Sequence, residues 1–355
     1  MYNKKHIETE IIETIQSLLP DHPELTQDVK NMSVDLSKYL PQDNLRFSTA
    51  KNIYDIPDDN VTIMRYMDYD KFQYLLKNAS LYMPNPKRFT QDPNEGYLIP
   101  DAGIFIDSTV THMYKKFHED IVAKRVNISG INFTGIETID RQIMRDRCLK
   151  IYKHNLKRFY VSCWTERDID QDNMWKAYIA GDAFCSQEEK LKTAVAIKTT
   201  VKKLKQALRK NQRLFAITRA KYVNLETYKI TNFDFLACGM WSVACCMLKF
   251  KNKPFEDDRE IRLITDDLMN GTTQWYRKAV ITVLGTGNFD YGAEPKTTAL
   301  EIPIVLDDFI DEIIVSPFSN DNFVKELYTL LNSYGLKNVV IKKSDISKRH
   351  PCYWE

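Results

Sequence analysis

The stretch KPFEDDREIRLI, which begins at Lys253, sets Glu256, Asp257, Asp258, Arg259, Glu260 and Arg262 before and between the apolar residues Ile261 and Leu263. From Arg259 onward the pattern alternates, so Glu260 and Arg262 share one face of a strand while Ile261 and Leu263 share the other. Such acids either neutralise each other on a solvated strand edge or place one carboxylate over a cleft. In VTIMRYMDYDKF, Arg65 interrupts an apolar strand, where an arginine is costly unless it meets a carboxylate or an anionic ligand. NPKRFTQDPNEGY gathers Arg88, Asp92 and Glu95 in an ordered turn. RFYVSCWTERDIDQDNMWKAY ends a strand near Ser162 and Trp164 and follows it with a helix carrying Met174, Trp175 and Tyr178. For each of these segments ordinary packing is the competing reading.

Other chemistry-bearing residues read as structural. GTGN at Gly285 lacks the third glycine and the helix start of a dinucleotide loop, and so reads as a turn. The histidines at 6, 22, 112, 118, 154 and 350 are scattered, and His112 and His118 do not share a helical face as zinc would require. Cys163 inside FYVSCW reads as core rather than nucleophile. VKKLKQALRKNQR forms a basic helix face near Lys202, either solvated or in contact with phosphate.

The elements that must position these residues follow from periodicity. Ile7, Ile11, Ile12, Ile15 and Leu18 recur at helical spacing, Pro20 and Pro23 break the run, and LTQDVKNMSVDLSKYL repeats it. Residues 1–45 therefore read as a helical extension, docked on the body, on a partner or on a second copy. Residues 46–355 read as one domain. Strand-like runs fall at VTIMRYM, RFYVSCW, TAVAIKTT, LFAITRAKYV, EIRLIT, KAVITVL, ALEIPIVL, IIVSP and NVVIKK. Helices fall at DYDKFQYLLKNASLYM, which leads into a second strand, and at DNMWKAYIAG, VKKLKQALRK and FVKELYTLLNSYG. Without a regular βαβ rhythm, the mixture predicts an α+β fold with a largely antiparallel or split mixed sheet.

Composition narrows the class. The 355 residues are 43% hydrophobic and 28% charged, the balance of a globular protein, and a net charge of +2 gives no global pull toward nucleic acid or membrane. Cysteines at 148, 163, 185, 238, 245, 246 and 352 form no CxxC pair, as expected of reduced thiols in the cytoplasm. The N-terminus has no signal-peptide core and no stretch is long enough to span a bilayer; FDFLACGMWSVACCMLKF reads as a buried helix.

The succession MRYMDYDKFQYLLKNASLYMPNPKRFTQDPNEG, YVSCWTE, NMWKAY, VAIKTTVKKLKQAL, KNKPFEDDREIRLI and IPIVLDDFIDEIIVSPFSNDNFVKELYTLLNSYGL resembles a bacterial family of unknown function, number twenty-nine seventy-one. The likeness runs from about Val61 to Val340. That family assigns no activity. Arg65, Ser162 and the acidic pair Asp258 and Glu260 also resemble the Arg…Ser…Glu arrangement of ADP-ribosyltransferases, with Asp258 departing from the usual glutamate or glutamine. This second resemblance implies a split mixed sheet with flanking helices and an enzyme that cleaves NAD as substrate, passing ADP-ribose to a macromolecule or to water. By analogy it implies a bacterial toxin or a phage-defence effector.

In that reading Glu260 and Ser162 are catalytic. Glu260 holds the ribose 2′-OH and stabilises the oxocarbenium-like state, as carboxylates do in glycoside cleavage. Arg65 pairs with phosphate, with Tyr66 and Arg88 beside it, and Trp164, Trp175 or Tyr178 stacks on nicotinamide. No metal is needed, and Arg65, Ser162 and Glu260 must line a single cleft. Two rivals differ in class. A metal-dependent nuclease would use Asp258 and Glu260 as ligands and the helix near Lys202 for nucleic acid. A non-catalytic sensor or interaction module would bury Arg65 and Glu260 as an ion pair.

Overall fold

The computed structural model describes residues 55–89, parts of 107–119, 133–180, 187–211, 213, 215–228, 248–266 and 297–346. The expected N-terminal extension, the KAVITVL strand, GTGN and most of FDFLACGMWSVACCMLKF lie outside these residues.

The chain enters at β1 (Thr62–Met67) and passes through Asp68, whose side chain accepts from the Lys71 amide at 2.9 Å and so satisfies a donor that α1 (Tyr69–Asn78) leaves free. The helix buries Phe72, Leu75 and Leu76, at positions three and four apart, and ends on Ala79 at φ 43, which turns the chain into β2 (Ser80–Pro84). A 3-10 turn, Pro86–Arg88, follows, then α2 (Glu137–Leu156), β3 (Phe159–Thr165), α3 (Asp172–Ala180) and α4 (Gln187–Lys192). Next come β4 (Val195–Thr200), α5 (Val201–Ala207), β5 (Ala216–Arg219), β6 (Lys221–Val223), β7 (Phe250–Asn252) and a 3-10 turn, Lys253–Asp258. The described chain closes with β8 (Glu260–Asp266), β9 (Ala299–Pro303), β10 (Glu312–Val315), α6 (Asp321–Ser333) and β11 (Val340–Lys343).

These elements form a seven-stranded mixed sheet in the order β11-β10-β4-β1-β3-β8-β5, antiparallel at every pairing except β10 with β11. Two small sheets, β2-β9 and β6-β7, accompany it. The architecture is mixed α/β and compatible with the expected α+β class. Helix α2 was not anticipated: its sequence ETIDRQIMRDRCLKIYKHNL is polar almost all round and carries little helical stripe. The run LFAITRAKYV, expected as one strand, divides at Ala220. There the Ala220 amide donates to Glu260 O and the Lys221 amide to Lys249 O, so the chain leaves β8 and joins β7.

Alternation along the strands sends side chains to two different layers. Ile63 and Met67 of β1, Trp164 of β3, Ile197 of β4 and Ile261 and Leu263 of β8 pack against Leu75, Leu204, Leu327 and the β2-β9 pair. Met64 and Tyr66 of β1, with Ala196 and Ile314, pack instead against Met174, Trp175 and Ile179 of α3. Each such aliphatic or aromatic side chain contributes roughly 1.5–3 kcal/mol on burial. This division decides which candidate residues can meet.

Candidate functional site

Arg65 belongs to the first layer. It shares a strand face with Ile63 and Met67, and its guanidinium donates from Nη1 to Ser162 Oγ at 2.9 Å and from Nη2 to the Tyr82 carbonyl at 3.1 Å, the latter at a solvent-facing edge. Its Cζ lies 5.9 Å from the centre of the Trp164 ring, a cation–π approach. Ser162, fully buried, accepts a second hydrogen bond on the same oxygen from Trp164 Nε1 at 3.0 Å. Arg65, Ser162 and Trp164 therefore meet, around neutral acceptors. The residue keeps part of its surface open, but the guanidinium is enclosed enough that burial lowers its pKa, against smaller raising effects of Cys163 and Tyr178.

Arg88, exposed at the end of its 3-10 turn, approaches the same strand from outside, donating to the Tyr82 hydroxyl at 2.5 Å and to Thr298 Oγ1 at 3.4 Å. Among the described residues neither Arg65 nor Arg88 is paired with a carboxylate.

Glu260 faces the other way. Its cross-strand partner is Thr165, while Ile261 opposes Trp164 and Leu263 opposes Ser162, so the period of two places Glu260 and Arg262 on the side of the sheet opposite Ser162. The expected single cleft of Arg65, Ser162 and Glu260 is not formed. Two of the three Arg…Ser…Glu members meet, and the third is across the sheet from them. The same alternation that was legible in DREIRLI separates them.

The surroundings of Glu260 explain its charge in a buried position. Its side chain is 1% exposed, and it accepts from Lys251 Nζ at 2.5 Å and from Arg262 Nε at 2.8 Å. Arg262 is itself fully buried and donates on to Leu248 O at 2.5 Å, and Lys251 also reaches Asp258 at 2.7 Å. Burial pushes the Glu260 carboxyl up, but Arg262 and Lys251 together outweigh it and bring the pKa down to about 2. For Lys251, burial acts to lower the value and the charges of Glu260 and Asp258 prevail, holding it above the ordinary range. Two carboxylates facing two cations make a self-compensated cluster.

The turn that starts β8 is fastened to β3. Arg259 adopts φ 43, Thr165 Oγ1 donates to Asp258 O at 2.6 Å, and the Glu166 amide donates to Arg259 O at 2.9 Å. The Glu260 amide in turn donates to the Tyr222 hydroxyl at 2.6 Å. The acid-rich run is thus a tied-down entry to the sheet, with one acid turned inward and Asp257 and Glu256 left outside.

The remaining stacking candidates divide in the same way. Tyr66 and Trp175 meet edge to face at 4.8 Å, and Tyr66 and Tyr178 lie 6.3 Å apart, on the α3 side of the sheet. Trp175 is fully buried and donates to Asp170 at 2.9 Å, so both faces of its ring serve the core. Tyr178 is half-buried, and burial, followed by the charge of Glu260, raises its hydroxyl well above the ordinary value. Tyr66, Trp175 and Tyr178 therefore lie on the α3 side of the sheet, opposite the side on which Arg65 meets Ser162.

Glu260 pairs with Arg262 and Lys251, not with Arg65 as the interaction-module reading had it. Lys251 Nζ contacts both Asp258, at 2.7 Å, and Glu260, at 2.5 Å, the two acids that the nuclease reading names as ligands. On the basic helix, Lys203 is held by Asp308 and Asp311 at 2.7 and 2.5 Å, and Lys205 by Asp59 at 2.7 Å. Lys202, Arg209 and Lys210 are exposed on the same basic stretch. No helix among the described residues is long and apolar enough to cross a membrane.

Sequence reading missed Lys251, Tyr82 and Tyr222. Lys251 lies in the short strand FKN beside the expected acids, and an inward lysine two residues from Lys253 carries no periodic signal. Tyr82 contributes its carbonyl, which no side-chain pattern reveals. Cys163, read as core, is half-exposed and hydrogen-bonds Glu260. No family model, curated protein or solved structure matches this chain.

Proposed function

We propose that the chain binds a phosphate-bearing ligand of the NAD type on the face formed by Arg65, Ser162 and Trp164. The observation that supports this reading is the state of Arg65, a half-buried guanidinium satisfied by a serine hydroxyl and a backbone carbonyl and paired with no carboxylate among the described residues. An arginine brought into an apolar layer keeps its charge, and the missing counter-charge is what an anionic ligand supplies. Trp164 adds an aromatic wall beside the cation.

The NAD-consuming reading, as an ADP-ribosyltransferase or NAD glycohydrolase, is carried forward for its ligand. The cleavage step is not assigned to Glu260, because that carboxylate is committed to Lys251 and Arg262 across the sheet. This commitment favours a second reading, a non-catalytic sensor or interaction module that binds NAD without cleaving it. Calorimetric titration with NAD, run beside a nicotinamide-release assay without added divalent metal, separates them. Heat with no nicotinamide supports the sensor, nicotinamide release supports the enzyme with an acid other than Glu260, and no binding removes both.

A further inference from the structure

Tyr82 touches two arginines that are paired with no carboxylate among the described residues. Its carbonyl accepts from Arg65 Nη2 at the solvent-facing edge of β2, and its hydroxyl accepts from Arg88 Nη1. The two guanidiniums are therefore held at opposite ends of one tyrosine. A carboxylate is present on the same outer strand face, since Glu301 of β9 stands directly opposite Tyr82 in the register, yet Glu301 is bound by the Tyr74 hydroxyl and Arg88 goes to Tyr82 and Thr298. Tyr82 itself is 37% exposed, so this end is open to solvent.

Resting on the proposed phosphate-binding role of Arg65, we infer that Arg88 forms the second end of the same site, and that the site takes a ligand with two linked phosphates in preference to one with a single phosphate. Two planar forks held one tyrosine apart, each with neutral acceptors only, can share a diphosphate so that each pairs with one phosphoryl group. A lone phosphate reaches the half-buried Arg65 alone. In this arrangement Tyr82 is a positioning residue: its hydroxyl aims Arg88, while its backbone carbonyl aims Arg65 and is unaffected by side-chain substitution.

The test uses the full chain, with inorganic phosphate and pyrophosphate as probes in calorimetric titration, on wild type and on Arg88→Gln and Tyr82→Phe. Wild type is expected to bind pyrophosphate at least about tenfold more tightly than phosphate, one charge-assisted pair being sufficient for that factor. Arg88→Gln should bring pyrophosphate down to the phosphate value, and Tyr82→Phe should reduce the preference in part. Equal affinity of wild type for the two anions, or a preference that Arg88→Gln leaves intact, overturns the two-ended site while leaving the Arg65 reading in place. Failure of wild type to bind either anion overturns both. Melting curves for the two variants, which change exposed side-chain groups, should match wild type and so exclude misfolding as the cause of any loss.

Discussion

Arg65 and Trp164 converge on one oxygen atom: Ser162 Oγ accepts from Arg65 Nη1 at 2.9 Å and from Trp164 Nε1 at 3.0 Å. A small buried hydroxyl thereby fixes both the charge and the aromatic wall of the candidate site. Ser162→Ala leaves two donors without that acceptor, and a buried orphaned donor costs roughly 1–3 kcal/mol. The variant should lose about that much stability in a denaturant titration and also bind NAD more weakly. Unchanged stability would show that neither donor depends on Ser162.

Glu260→Gln tests the cluster on the other side of the sheet. Removing the carboxylate strands Arg262, fully buried, and Lys251, 7% exposed. Breaking one partner out of a buried pair costs roughly 3–5 kcal/mol, which should appear as a clear fall in melting temperature. NAD binding at Arg65 should survive in the folded fraction. A melt close to wild type would contradict the structural role assigned to Glu260.

Acid should act through the same residue. Burial alone would raise the Glu260 carboxyl, but Arg262 and Lys251 bring its folded value down to about 2, below the ordinary 4.5. A carboxyl depressed on folding stabilises the native state above its unfolded pKa, and that contribution is lost as pH falls through the folded pKa. Stability measured by urea unfolding should therefore decline between about pH 4.5 and pH 2. Glu260→Gln should lack this part of the decline, and an identical acid profile for the two proteins would contradict the linkage.

Much of this layout was legible in the sequence. Alternation in DREIRLI put Glu260 with Arg262 on one face, because a strand has a period of two whatever lies beside it. The cost of Arg65 in an apolar strand was legible for the same reason. What sequence pattern does not carry is strand order and the sidedness of one strand relative to another. Three polar positions on β1, β3 and β8 can share a face or not according to register, and register is set by pairings such as Met64 with Thr165 and Thr165 with Glu260. Lys251 lies close to Glu260 in sequence but in a short strand with no periodic signal, the Tyr82 partner is a backbone carbonyl that no side-chain pattern reveals, and the split of LFAITRAKYV at Ala220 is decided by Glu260 O and Lys249 O.

The basic helix supplies a separate prediction about partners. Lys203 and Lys205 are engaged by Asp308, Asp311 and Asp59, which reduces the charge this stretch offers to a polyanion. Lys202→Ala should leave the retention of duplex DNA or RNA in a gel-shift assay unchanged. A strong loss of retention in that variant would restore the nucleic-acid reading.

The central claim is that the Arg65 guanidinium receives a phosphate-bearing ligand, and the affinity of NAD for wild type and for Arg65→Gln, measured by calorimetry on protein shown by its melt to be folded, tests it most directly. A hydrogen bond to a charged group contributes about 1.5–3 kcal/mol, so Arg65→Gln should bind NAD roughly 10–100-fold more weakly than wild type. Nicotinamide riboside, which has no phosphate, should not distinguish the two proteins. Equal NAD affinity for wild type and a folded Arg65→Gln, or no binding of NAD to wild type, would contradict the account.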